Sequence, residues 1–189
     1  MTVHSTLTDE VREFRAPQTM TPQELGDSLA RLVWESFSDF MSREDVETPF
    51  DVDTLYDDDG TVLRTAEEAL IFFMWAHTRG AQLAFLGRAP DERIREGLDA
   101  LHTAIFEDMV SNGTPKSQLP LFEQRVSARY AEYHQAAAES DDKLGKAVAR
   151  HLVADGTARE STVEAIRERA VAVANPLRDF LEEVELVED

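Results

Sequence analysis

Residues 66–85 read AEEALIFFMWAHTRGAQLAF, and this stretch decides the fold because its side chains are apolar around most of a helix. Its clearly polar positions fall within an arc of about 120° at 100° per residue. These positions are Glu67, Glu68, Thr78, Arg79 and Gln82. A helix with so wide an apolar surface has to be covered on several sides. We therefore predict a central helix over residues 65–87, with Thr65 at its N-terminus.

Amphipathic segments lie on both sides of this helix. Thr21, Pro22 and Glu24 form a capping-box pattern that predicts a preceding helix, and Pro90 opens the one that follows. Three further apolar stripes occur over residues 119–137, 144–152 and 163–184. The last stripe keeps its phase across Pro176, which predicts one helix kinked at the proline. The sequence thus predicts an all-α fold, a single-domain bundle of about six helices.

Two short segments depart from the helical period. Residues 54–56 and 61–63 are β-prone and flank an Asp-Gly turn, which predicts a small β-hairpin near residues 54–63. Residues 1–20 carry only a short amphipathic stretch, so we expect a flexible N-terminal arm before a domain over residues 21–189.

Composition narrows the class of protein and its partners. The chain has 189 residues, no cysteine and a net charge of −19, which disfavours nucleic acid and anionic membrane surfaces as partners. Without cysteine there is no disulfide, thiolate nucleophile or cysteine-based zinc site. The longest apolar run has eight residues and no signal peptide is recognisable, so we expect a soluble, cytoplasmic protein.

The acidic charge has two interpretations. An acid-rich surface with 16 Arg and 3 Lys resembles cytosolic proteins of salt-accumulating microbes, which makes a halophilic origin one hypothesis. However, residues 44–59 hold eight acids and no base, and a uniform salt adaptation does not explain that concentration. The local acidic segment is therefore a second candidate for contact with a partner or a cation.

Divalent-cation binding is an alternative at two places. Asp57 and Asp59 precede Gly60 as in an EF-hand loop, but the first and last loop ligands are missing, so a solvated turn is the favoured interpretation. His77 and His102 lie on predicted helices, yet no His-x-x-x-His or Glu-x-x-His spacing accompanies them. We expect His77 to be buried, neutral and held by one hydrogen bond, and we predict no cofactor.

Catalytic motifs are absent from the sequence. No nucleophile elbow, phosphate-binding loop or dinucleotide fingerprint occurs, and Glu67 and Glu68 are expected on a solvated helix face. Trp75 is either covered by another layer, which we favour, or part of an interaction surface. Tyr130 and Tyr133 are expected at the edge of the core, with hydroxyls reaching water or a polar partner, and are weaker interaction candidates.

These observations favour a non-enzymatic helical protein that acts by protein–protein contact. The stripe over residues 163–184 suggests a homodimer packed across a two-fold axis. A helical bundle that binds a metal or a small ligand is the first alternative, and an acidic partner of a basic protein is the second. In outline the chain also resembles the helical chaperones that mature redox enzymes, although their acidic Pro-x-Asp-His motif has no match here.

Overall fold

A computed structural model describes residues 18–42, 61–152 and 160–188. Helices occupy most of this part of the chain, so the predicted all-α bundle is confirmed. Its six α-helices are α1 (Pro22–Ser42), α2 (Thr61–Phe85), α3 (Asp91–Ser111), α4 (Leu119–Glu139), α5 (Asp141–Leu152) and α6 (Glu160–Glu182). Two short strands, β1 (Gln18–Met20) and β2 (Val184–Leu186), complete the fold.

The predicted central helix is α2, which packs against the five other helices. Every residue from Glu68 to Thr78 is buried, including the run of large side chains that the sequence places there. Trp75 is among them, so the expectation that another layer covers it is confirmed. Burial of this run contributes to the apolar driving force that assembles the bundle, together with buried residues from the other helices.

Two glycines allow α1 and α3 to pack at very short range. A Cβ atom at Gly26 would lie 2.7 Å from the backbone nitrogen of Leu101, and one at Gly97 would lie 2.9 Å from a methyl group of Leu25. Both distances are shorter than real Cβ atoms show in non-bonded contacts. At Gly26 the obstacle is the backbone of α3, so only glycine permits the crossing there, whereas at Gly97 the Leu25 side chain would have to shift.

The helix starts follow the sequence signals in one case and depart from them in another. Thr21 donates its N–H to Glu24 and its Oγ1 accepts the N–H of Glu24, which confirms the predicted capping box. Helix α2, by contrast, begins at Thr61 rather than Thr65. Residues 61–63 are therefore helical, and the predicted second strand of the hairpin is wrong because the helix extends through it. The rest of that hairpin, residues 54–60, lies outside the described residues.

A small parallel sheet forms where the sequence predicted none. Strand β1 pairs with β2, with Gln18 opposite Val184 and Met20 opposite Leu186. Residues 18–20, which we assigned to the N-terminal arm, thus join the folded domain, and residues 1–17 lie outside the described residues. Arg88 holds this end of the chain, since its guanidinium donates to the carbonyls of Leu181 and Val184 at 3.0 and 3.1 Å.

Helix α6 continues through Pro176, as the phase of its stripe predicts. The stripe itself is buried against α2 and α5 within one chain; its buried members include Val163, Ile166, Leu177 and Leu181. These side chains are already used by the bundle. Most of the apolar surface on which the homodimer hypothesis rested is therefore used within one chain, while Phe180 stays 37% exposed.

Candidate functional site

A cleft of about 550 Å³ lies between α1, α2 and α6, next to β1. We call it the His77 cleft. It is lined by Gln18, Met20, Ser28, Arg31, Leu32, Glu35, Ser36, His77, Ala172, Val173, Pro176, Leu177 and Phe180. Its size and its mixture of apolar walls with a few polar groups are those of sites that hold small organic molecules.

His77 is the most buried polar side chain of this cleft, with 3% of its surface exposed. Its Nδ1 lies 2.8 Å from the carbonyl oxygen of Phe73. A carbonyl only accepts, so the neutral ring carries its proton on Nδ1 and Nε2 keeps a free lone pair. No hydrogen-bond partner for Nε2 occurs in the described part of the chain.

Burial decides the charge of His77. Desolvation lowers the pKa of its imidazole to about 4, and the hydrogen bond to the Phe73 carbonyl opposes this only in part. The ring is therefore neutral at pH 7. These features confirm the expected buried, neutral histidine with one hydrogen bond, and they also leave a hydrogen-bond acceptor at the wall of a cleft.

Helix α6 provides an apolar wall. Val173, Leu177 and Phe180 lie on it at helical spacing, and Phe180 remains 37% exposed. Pro176 has no N–H, so the carbonyl of Ala172 lacks its regular partner four residues later. The proline thereby weakens the helical hydrogen-bond ladder along this wall.

The polar groups at the other wall come from α1. Arg31 and Glu35 stand one helical turn apart, and Ser28 lies one turn before Arg31. Arg31 is exposed and forms no ion pair with any residue that the structure describes. Because this wall carries both signs of charge, charge alone does not select the ligand.

A second cleft, of about 440 Å³, lies between α2, α3 and α4. We call it the Tyr130 cleft. It is lined by Thr78, Gln82, Leu86, Asp91, Ile94, Arg95, Leu98, Asp99, His102 and Tyr130. Tyr130 thus lies at a cleft, and its hydroxyl bonds both Thr78 and His102, which confirms the expected polar partner.

The histidines do not assemble a metal site. Within residues 18–42, 61–152 and 160–188, no group of three or more histidine or acidic side chains is arranged to hold a metal ion. His102 uses Nδ1 on the Leu98 carbonyl and Nε2 on Tyr130, while His77 lines a different cleft. The structure thus places His77 and His102 in different clefts, and the described residues offer neither of them a set of metal ligands. Asp57 and Asp59 lie outside the described residues.

Two of the predicted interaction residues are buried within the chain. Trp75 and Tyr133 are 3% and 0% exposed, and their rings meet edge to face with centroids 5.8 Å apart. Neither can present a surface to a partner, because α4 and α5 pack over this side of α2. Trp75 Nε1 and the Tyr133 hydroxyl have no partner among the described residues.

The acidic pair Glu67 and Glu68 on α2 does not form the solvated helix face that the sequence predicts. Glu68 is 1% exposed rather than solvated, and the guanidinium of Arg129 binds both of its carboxylate oxygens at 2.8 and 2.9 Å. Glu67 pairs with Arg125 one turn earlier on α4. The sequence carries no matching spacing that could have revealed this arrangement, because the two arginines are four residues apart and the two acids are adjacent.

Other residues of the two clefts gave no local signal. Ser28 and Arg31 occupy ordinary positions of an amphipathic helix, and Pro176 suggested only a kink. Among the described helices, none is both long and apolar enough to cross a membrane. Comparison with protein-family models, with curated proteins and with solved structures finds no match.

Proposed function

We propose that this chain is a small-molecule-binding helical bundle, and that the His77 cleft is its binding site. The observation that carries this proposal is the free Nε2 of a neutral, buried histidine at the wall of a mostly apolar cleft. Nε2 is not among the buried, unpartnered polar atoms of the described residues, so it is accessible from the cleft, where a ligand donor would replace water. A ligand hydroxyl or N–H group would provide that donor.

The walls define the rest of the ligand. The apolar side chains of α6, with Met20 and Leu32, favour a hydrocarbon or aromatic body. The volume of about 550 Å³ suits a molecule of one or two rings. The proposed ligand is thus a small, mostly apolar molecule that carries one hydroxyl or N–H donor.

A matched pair of probes tests this proposal. 4-Propylphenol carries a hydroxyl donor, whereas 4-propylanisole replaces that hydrogen by a methyl group. We expect the phenol to bind about fivefold more tightly, the equivalent of one neutral hydrogen bond of ~1 kcal/mol. Calorimetric titration, or ligand-observed NMR where binding is weak, measures the ratio.

Two variants assign the effect to His77. His77→Phe should remove the preference for the phenol, because phenylalanine offers no acceptor. His134→Phe is the matched control: His134 makes no hydrogen bond with a described residue and does not line the cleft. Equal binding of both probes to the unaltered protein, or a preference that survives His77→Phe, would reject the proposal.

Protein–protein contact, the function favoured from sequence, remains a prediction with less support. Most of the stripe that motivated it is buried, and so are Trp75 and Tyr133. The exposed large apolar residues that remain include Leu83 and Leu86 near the end of α2, but Leu86 lines the Tyr130 cleft. No surface that a protein partner would cover follows from them.

A further inference from the structure

The tautomer of His102 determines which hydroxyl groups at the Tyr130 cleft donate a hydrogen bond and which accept one. His102 Nδ1 lies 2.6 Å from the Leu98 carbonyl oxygen, which only accepts, so Nδ1 carries the proton. Burial lowers the pKa of His102, against the opposing effects of that hydrogen bond and of the nearby Asp99 charge. The ring is therefore neutral at pH 7, and Nε2 is an acceptor.

The remaining hydrogens follow in order. Tyr130 lies 2.9 Å from Nε2 and must donate its hydroxyl hydrogen to it. Thr78 lies 3.3 Å from the Tyr130 oxygen, which has no hydrogen left to give, so Thr78 is the donor of that pair. Both hydroxyl hydrogens are thus used within the protein. Tyr130 and Thr78 can offer a ligand only lone pairs.

The charged side chains that line this cleft are mostly acidic. Asp91 and Asp99 line it and form no ion pair with a described residue. Its one cationic side chain is Arg95, so the two acids and one base that line the cleft leave a net negative charge there. Carboxylates and acceptor-only hydroxyls together favour a cation that carries N–H donors, and they repel an anion.

Apolar side chains complete the cleft. Ile94 and Leu98 are buried, while Leu86 is 72% exposed at the same cleft. An exposed leucine beside two buried ones offers hydrocarbon surface that a ligand's apolar body can cover. We propose that the Tyr130 cleft is a second binding site, specific for a small organic ammonium ion with an apolar body.

Three probes of one shape test the specificity. They are 2-phenylethylammonium, neutral 2-phenylethanol and phenylacetate, which is an anion. We expect affinity to decrease in that order, with phenylacetate at least tenfold weaker than the ammonium, the equivalent of ~1.4 kcal/mol. Equal affinity of the ammonium and phenylacetate, or no detectable binding of the ammonium at 10 mM (about −2.7 kcal/mol), would overturn the proposal.

Single substitutions test which residues of the Tyr130 cleft recognise the ammonium ion. Asp99→Asn should weaken ammonium binding about fivefold and leave 2-phenylethanol unchanged, whereas Tyr130→Phe should weaken both. Asp179→Asn removes the same charge from an exposed position on α6 that does not line the cleft, and should have little effect. If Asp99→Asn and Asp179→Asn behave alike, the cleft does not recognise the cation. Asp99→Asn keeps the test valid even if Tyr130→Phe fails to fold.

Chemical-shift mapping separates the two clefts. Titration with 2-phenylethylammonium should shift the amide signals of Thr78, Ile94 and Leu98, while those of Val173 and Leu177 remain in place. The opposite pattern would assign the ammonium to the His77 cleft and overturn the second site. Loss of the phenol preference at His77 would leave this result unaffected, so the two proposals fail independently.

Discussion

At the scale of single residues, two buried polar side chains of α2 are satisfied by different kinds of partner. Glu68 and His77 both lie on α2 and both are almost fully buried. Glu68 is bound by Arg129, whose guanidinium donates two hydrogen bonds to its carboxylate. His77 meets only a backbone carbonyl of its own helix, so burial keeps it neutral.

Arg129→Met tests the importance of the buried pair. The substitution leaves the Glu68 carboxylate buried without its counter-charge, which should lower the free energy of unfolding by about 3–5 kcal/mol. Lys143→Met breaks the exposed pair with Glu139 and should change it by less than about 1 kcal/mol. Urea denaturation at pH 7 measures both. Equal effects of the two substitutions would show that burial of Glu68 is not what makes its pair important.

The sequence predicted some of these residues and not others. His77 could be predicted to be buried because it lies within the wide apolar surface of α2. Trp75 lies within the polar arc of that helix, so coverage by another layer is favoured over exposure on weaker grounds. The burial of Glu68 could not be predicted, since it depends on Arg129, a partner far along the chain. The sequence of a single helix therefore predicts which residues of its apolar surface are buried. It does not predict the burial of a charged residue whose partner lies on another helix.

At the scale of elements, local signals located most helices but not the start of α2. Thr21 and Glu24 bond to each other in the way their spacing predicts. Around residues 61–63 the β-branched side chains suggested a strand, but α2 extends through them. A weak local preference for strand is overridden when a residue continues a strongly buried helix.

The close α1–α3 crossing predicts that a Gly→Ala substitution destabilises the protein, which is opposite to its usual effect in a helix. In an ordinary helix, Gly→Ala stabilises by about 1 kcal/mol. At Gly26 the added methyl would overlap the backbone of α3, so Gly26→Ala should instead lower the free energy of unfolding by about 1–3 kcal/mol. Ser38→Ala, at an exposed position of α1, is the control and should be near neutral. A stabilising Gly26→Ala would contradict the close crossing.

At the scale of the whole molecule, the bundle could be predicted but its clefts could not. Amphipathic stripes require helices to pack, and six of them form a bundle in almost any arrangement. A cleft, however, depends on how three elements diverge, as α1, α2 and α6 do around His77. No single stripe contains that information.

The net charge belongs to this scale as well. The value of −19 disfavours anionic partners over the whole surface, and this agrees with the cation proposed for the Tyr130 cleft. The densest acidic segment, residues 44–59, lies outside the described residues. Its role as a contact for a partner or a cation therefore stays a prediction.

The tautomer and charge of His77 test the central claim most directly, because the proposed ligand bond requires a neutral ring with a free Nε2. Long-range ¹H–¹⁵N spectra of the labelled protein, assigned with His77→Phe, report both. We predict a neutral Nδ1–H ring at pH 7 with a pKa of about 4. The unfolded chain takes up the proton near pH 6.5, so stability should fall as the pH decreases from about 6.5 to 4. A charged ring, or a proton on Nε2, at pH 7 would contradict the claim.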